Sequence, residues 1–419
     1  MRLELRYCDI KAVVFITDHD CYINENILYI NKRQLIEMFG RPALDGMDIQ
    51  LAVPGERCRI VNVGDVVQPR AKLTAPETTF PGFLGTMSRA GDGITVALKN
   101  VTVMECLHIK LPHSSIVDMS GSAADYTEYS KTFNIVILAS PCDGIDDHTY
   151  INELKKMVFS ISRFLAELAF HLVPDITDIF ELKKKAADCV LPKVVHVWVS
   201  FSHARNCEML FYGQECLGIL PTIVHPNEIL DGAIVNRNYR QISNGEPTYA
   251  LQNHALLREL YARDGKDVDF RGVILINCSS NSDSKKCSSL IAATLAAHCL
   301  EADIAIITKE GGGHPQLDMA MCSDSLNDMG IKSVMIIVEL MASSASSQES
   351  LIFNTPTANA IVSGGILENL LLPAMDRVIG SNRLASVDEK MNQSFTYSNR
   401  WIRGSLSQIG GSYVKSITY

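Results

Sequence analysis

From about residue 132 onward, apolar strand-like runs alternate with helical stretches, and this rhythm restricts the possible architectures more than any other feature of the chain. The run FNIVILAS leads into the amphipathic stretch NELKKMVFSISRFLAELAFHL. VVHVWVSF, GVILIN, ADIAIIT and SVMIIVEL follow, with the helix SSLIAATLAAHCL and another near LDMAMCSDSLNDM between them. Strands that are apolar on both sides suit a sheet covered by helices on both faces, which is the usual setting of parallel strands. The spacing therefore predicts an α/β fold built from mostly parallel layers, with its ligand site beyond the carboxyl ends of the strands. Two loops fall there. Lys309 to Pro315, which holds Gly311, Gly312 and Gly313, follows ADIAIIT, and the Ser/Ala-rich stretch Ala342 to Gln348 follows SVMIIVEL.

Residues 1–115 have a different texture: RLELR, ILYIN, DIQLAV, CRIVNV and GITVALKNVTVMECL are short, alternating or β-branched, and separated by Gly, Pro, Asn and Asp. They predict a β-rich N-terminal domain. A first α/β domain then spans 116–235 and a second spans 250–419, with the polar break NRNYRQISNGEPTY at 236–249 between them. The net charge of −9 has acidic and basic residues interspersed, which speaks against nucleic acid and anionic membrane as partners. No apolar run approaches the ~20 residues that span a bilayer, so no membrane partner is expected. The N-terminus shows no export signal. The 12 cysteines are scattered singly, without Cys-x-x-Cys or zinc-finger spacing, which predicts reduced thiols, a cytoplasmic location and no metal.

Several local motifs have competing readings. The three glycines lack the lysine of a phosphate loop and the spacing of a dinucleotide fingerprint; they fit a tight strand-to-helix turn, with His314 and Pro315 starting the next helix. Asp143, Asp146, Asp147 and His148 could ligate a cation, yet their place before a helix suits capping better. His225, Glu228 and Asp231 serve acid–base chemistry or loop structure equally well. No Gly-x-Ser-x-Gly elbow marks a hydrolase.

The segment Asp118 to Leu138, DMSGSAADYTEYSKTFNIVIL, resembles the long signature of component B proproteins in the glycine, sarcosine and betaine reductase family. Similar agreement occurs at MRLEL, Phe80 to Gly82, ILPTIVHPNEILDGAIV, Pro247 to Tyr249, LYARDGKDVDFRGVI, TPTANAIVSGG and PAMDRVIG, and at Ser407, Gln408, Gly410 and Tyr419, so the resemblance spans the chain. It implies an oligomeric component of an amine-cleaving oxidoreductase. Its expected partners are a small amine substrate and a subunit that carries a reactive thiol or selenocysteine. It also implies a precursor that cleaves itself at a cysteine and converts the new terminus to a pyruvoyl group, whose carbonyl forms an imine with the amine.

The chain departs from that pattern in the polar break, the loop that matches the family's processing region. Asn238-Tyr239 stands where the family has asparagine followed by cysteine, and 236–249 has no cysteine. Tyrosine cannot make the five-membered acyl shift that serine or cysteine makes. Three readings remain. Ser243 could supply the nucleophile and become the pyruvoyl, the sole route to that cofactor here. The chain could stay whole and bind an amine that needs no imine, such as a quaternary one. It could also act as a non-catalytic scaffold. The candidate residues are Asn238, Ser243 and Asn244 for catalysis, and Asp118, Ser120, Tyr126, Lys131, Glu310 and His314 for substrate binding.

Overall fold

The apolar runs of the second half assemble into a seven-stranded sheet, in the order Thr222–Val224, Asp269–Asn277, Lys193–Ser200, Ile304–Lys309, Lys332–Glu339, Ala360–Ile366 and Ile417–Thr418. The inner five strands are parallel and the two outer strands run antiparallel to their neighbours. The structure is a computed structural model that describes residues 1–74, 78–108, 115–186, 188–200, 209–237, 245–339, 355–384, 387–411 and 417–418. The helix Ser282–Thr294 and the helix Pro315–Asp328 connect successive parallel strands. Asn281 starts the first by accepting from the N–H groups of Asp283 and Ser284, and Pro315 opens the second, where its missing N–H has no cost. Val195, Val197, Ile274, Ala292, Met319 and Leu326 form the buried layer between sheet and helices.

The N-terminal part is β-rich, in several small mixed sheets. GITVALKNVTVMECL divides at Asn100, whose φ of 65° turns the chain so that Gly93–Lys99 and Val101–Cys106 enter different sheets. Gly93–Lys99 lies parallel to Arg2–Asp9, whereas Val101–Cys106 lies parallel to Phe133–Pro141. The latter strand, read in the sequence as the start of the first α/β layer, hydrogen bonds to N-terminal strands on both sides, because Leu44–Ala52 pairs antiparallel with its other edge. The helix Asp147–Glu167 covers this sheet and is capped by the Asp146 side chain, which accepts from Thr149 N. A short helix, Lys32–Phe39, has no counterpart in the sequence reading; it buries Leu35 and packs Ile36 and Phe39 against the same core, but at eight residues it offers little more than two turns of apolar period.

Strand pairing crosses the polar break repeatedly. The central strand Lys193–Ser200 precedes it, yet lies between Asp269–Asn277 and Ile304–Lys309, which follow it. Near the C-terminus, Arg377–Gly380 returns to pair parallel with Cys58–Val61. Among the described residues no helix is long and apolar enough to cross a membrane.

Candidate functional site

The parallel strands deliver polar residues to one end of the large sheet, as expected for this architecture. Lys309 ends its strand fully buried, where its ammonium donates to the Gly311 carbonyl and to Gln408 Oε1 at 3.2 Å; burial holds this amine down at about 8. The next residue, Glu310, is buried and accepts from the Glu246 backbone N–H at 2.8 Å. Glu246 in turn accepts from the Gln408 N–H at 2.5 Å. This chain of bonds joins a strand end, the residues just after the polar break and the C-terminal segment.

Glu246 also lines a cavity of about 360 Å³ together with Glu128, Tyr129, Pro247, Asn253 and Ser407. Two carboxyl groups in one apolar-walled space are hard to ionise. Burial pushes Glu246 up to about 7, against the opposing hydrogen bond from Gln408 and the charge of Arg403. Burial likewise pushes Glu128 up to about 7, against a hydrogen bond with Tyr249 and the charge of Lys131. The Tyr129 and Tyr249 rings meet edge to face with centroids 5.3 Å apart. Gly404, at φ 82°, makes room for them, since a Cβ there would meet Tyr129 Cε2 at 2.7 Å. Gly404→Ala is therefore expected to displace the Tyr129 ring and lower Tm by several degrees in a thermal melt.

The two flanks of the polar break are pinned together beside this cavity. Asn236 N donates to Thr248 Oγ1 at 3.1 Å, and Thr248 donates from its N and Oγ1 to Asp65 at 2.7 and 2.6 Å. Asp65 pairs with the fully buried Lys155 at 2.7 Å, and Lys155 also pairs with Glu105 at 3.0 Å.

A second polar cluster lies at the same end of the sheet, formed by Cys278, Lys285, His314 and Asp318. The Lys285 ammonium pairs with Asp318 and lies 3.2 Å from His314 Nδ1, which is 3.7 Å from Cys278 Sγ. Burial pushes the Cys278 thiol up to about 12, so it is not a nucleophile in its own right.

Among the residues singled out in the sequence, Glu310 joins the first network and His314 the second cluster. Of the other described candidates none is among the residues that line the cavity, although the charge of Lys131 acts on Glu128. Asp118 is fully buried in a bidentate ion pair with Arg59 at 2.6 and 2.8 Å, sealed from the cavity. Ser120 Oγ donates to the Glu56 carbonyl, Tyr126 OH donates to Glu368 at 2.6 Å, and Lys131 is exposed. Asn238, Ser243 and Asn244 lie outside the described residues, as does Ala342 to Gln348. His225 and Glu228 form a capping box on the short helix Pro226–Leu230, and Asp231 is buried against Lys72, Thr95 and the Gly91 N–H. The sequence reading placed Lys309 in a loop at the expected ligand site but missed Glu128, Tyr129, Glu246, Cys278, Lys285 and Asp318. The signal for the first two was available, because both lie within DMSGSAADYTEYSK.

Residues 1–400 match the family described as glycine/sarcosine/betaine reductase component B subunits. The chain is 31% identical over 434 residues to glycine reductase complex component B subunits alpha and beta of Acetoanaerobium sticklandii, with 100% of both chains covered. It is 32% identical over 391 residues to sarcosine reductase complex component B subunit alpha of Peptoclostridium acidaminophilum, covering 91% of this chain and 89% of that protein. Betaine reductase complex component B subunit alpha of the same organism is 30% identical over 393 residues, covering 91% and 88%. No solved structure matches the chain.

Proposed function

From the premise that the chain belongs to the glycine/sarcosine/betaine reductase component B family, we propose that it is the amine-binding subunit of a reductive C–N-cleaving complex that works without a cysteine-derived carbonyl. The observation that carries this reading is the cavity beside the polar break, where Glu128 and Glu246 face a space walled by Tyr129. Carboxylates and aromatic rings together favour a small organic cation. Among the described residues the buried Tyr129 hydroxyl has no hydrogen-bond partner, which leaves a donor for the carboxylate of an amino-acid-like ligand.

A quaternary amine such as betaine suits a chain whose 236–249 interval has no cysteine, since it cannot form an imine in any case. A partner's thiolate or selenolate donates its electron pair to the α-carbon. The C–N bond breaks, its pair leaves on nitrogen, a neutral tertiary amine departs and the carboxymethyl group stays on sulfur or selenium. The positive charge held by the carboxylates is lost in that step, so their role is binding rather than acceleration.

The test is calorimetry with betaine, sarcosine and glycine, together with the denatured intact mass and a peptide map of residues 230 to 255. A bound amine and a single 46.2 kDa chain are expected. Two fragments, the second beginning at a hydrazine-reactive ketone derived from Ser243, would replace this reading with a serine-derived pyruvoyl. A whole chain that binds none of the three amines and still copurifies with a reductase subunit would make it a scaffold. Native mass alone is the wrong readout. With Lys193–Ser200 held between two later strands, a chain cut anywhere in 238–244 is expected to elute at its full native size and to separate only in denaturant.

A further inference from the structure

We propose that Cys278, His314 and Asp318 form a binding site for a divalent transition-metal ion of the zinc class. The three come from separate elements whose geometry brings them together. Cys278 follows the strand Asp269–Asn277, while His314 and Asp318 stand four residues apart at the start of the helix Pro315–Asp328 and so share one face. One ligand atom from each lies within 4.8 Å of the other two. Cys278 Sγ and His314 Nδ1 are 3.7 Å apart, against about 3.5 Å for sulfur and nitrogen ligands on one tetrahedral zinc.

The cluster holds more than an ion pair requires. Lys285 with Asp318 accounts for one carboxylate oxygen, but Asp318 is 2% exposed and among the described residues its other oxygen, Oδ1, has no hydrogen bond of good geometry, although the Ser279 N–H also lies at this carboxylate. His314 Nδ1 faces the Lys285 ammonium at 3.2 Å, so this nitrogen presents a lone pair to a cation. The Lys285 ammonium thus marks a place where these groups already receive positive charge; metal entry requires this buried ammonium to be displaced. A sulfur, nitrogen and oxygen donor set favours zinc, cobalt or iron(II) over magnesium or calcium, which take oxygen ligands. Three protein ligands leave one position of a tetrahedral ion to water or substrate, which is the pattern of a Lewis-acid site rather than a structural one, and the cluster lies at the carboxyl ends of the strands. Binding converts the Cys278 thiol to thiolate and releases one proton, so affinity rises with pH.

The experiment uses the full chain, stripped with a chelator and titrated with cobalt(II). We expect one equivalent bound with a thiolate-to-cobalt band in the near ultraviolet, displacement of that band by zinc, and its loss in Cys278→Ser. A wild-type protein that binds no cobalt, or binds it without the sulfur band, overturns the proposal and needs no variant to be folded. Retention of the band in Cys278→Ser overturns it as well. The outcome is independent of amine binding, so the two readings fail separately.

Discussion

Replacing Arg59 with methionine is expected to lower the free energy of unfolding by about 3–5 kcal/mol, enough to leave much of the chain unfolded at physiological temperature. Arg59 and Asp118 are both fully buried, and the guanidinium also donates to the carbonyls of Met391, Gln393 and Pro373. Removing it strands a carboxylate away from water and releases three carbonyls of the C-terminal segment, so two distant parts of the chain lose their tie together. Burial already raises Asp118 above the usual carboxylate range, with Arg59 opposing the shift. Without that opposition the group takes up a proton or the local fold opens. The double variant Arg59→Met with Asp118→Leu is expected to recover a large part of the loss, since no buried charge remains. Urea denaturation measures both effects. An Asp118→Asn variant that keeps its stability yet loses amine binding would return Asp118 to the ligand site.

The main strands were legible because their apolar runs are short, rich in β-branched residues and bounded by turn residues, whereas the mostly exposed Ile176–Glu181 carries no such run; the helix Asp147–Glu167 was legible from its long amphipathic period. Sheet membership was not. Nothing local in Phe133–Pro141 says that it pairs with Leu44–Ala52 and Val101–Cys106 rather than with later strands, since pairing is decided by nonlocal packing. The candidate site shows the same division. The signature from Asp118 to Lys131 contains two residues that line the cavity, but the segment runs through two short 3-10 turns, Ala124–Tyr126 and Glu128–Lys131, in which neighbouring side chains point in different directions. Glu128 and Tyr129 line the cavity while Lys131 faces water. Lys155, Asp65 and Glu105 lie far apart in sequence, and no spacing rule would join them to Thr248 at the edge of the polar break.

Glu246→Gln is expected to weaken the binding of betaine or a similar cation by about 30- to 150-fold, the loss of one charged contact worth about 2–3 kcal/mol. Glutamine keeps the shape and can still accept from the Gln408 N–H, so a fall in affinity reports the missing charge rather than a collapsed wall. The pH dependence gives a second, independent reading. Glu246 and Glu128 titrate near 7 in the folded chain, above the 4.5 of a free carboxyl. A carboxyl whose folded value is raised contributes stability that is complete below its unfolded value and is lost as pH rises through the folded one. The ligand-free protein is therefore expected to lose thermal stability between pH 5 and pH 8, and to lose less of it in Glu246→Gln, which has one titrating group fewer. A bound cation favours the ionised carboxylates, so amine affinity rises over the same interval and the stabilisation by ligand is greatest at pH 8. Thermal melts at pH 5, 6, 7 and 8, with and without amine, separate these opposite slopes. Equal affinity at pH 5 and pH 8, or a Glu246→Gln protein that binds as tightly as the parent, would show that the cation does not sit between these two carboxylates.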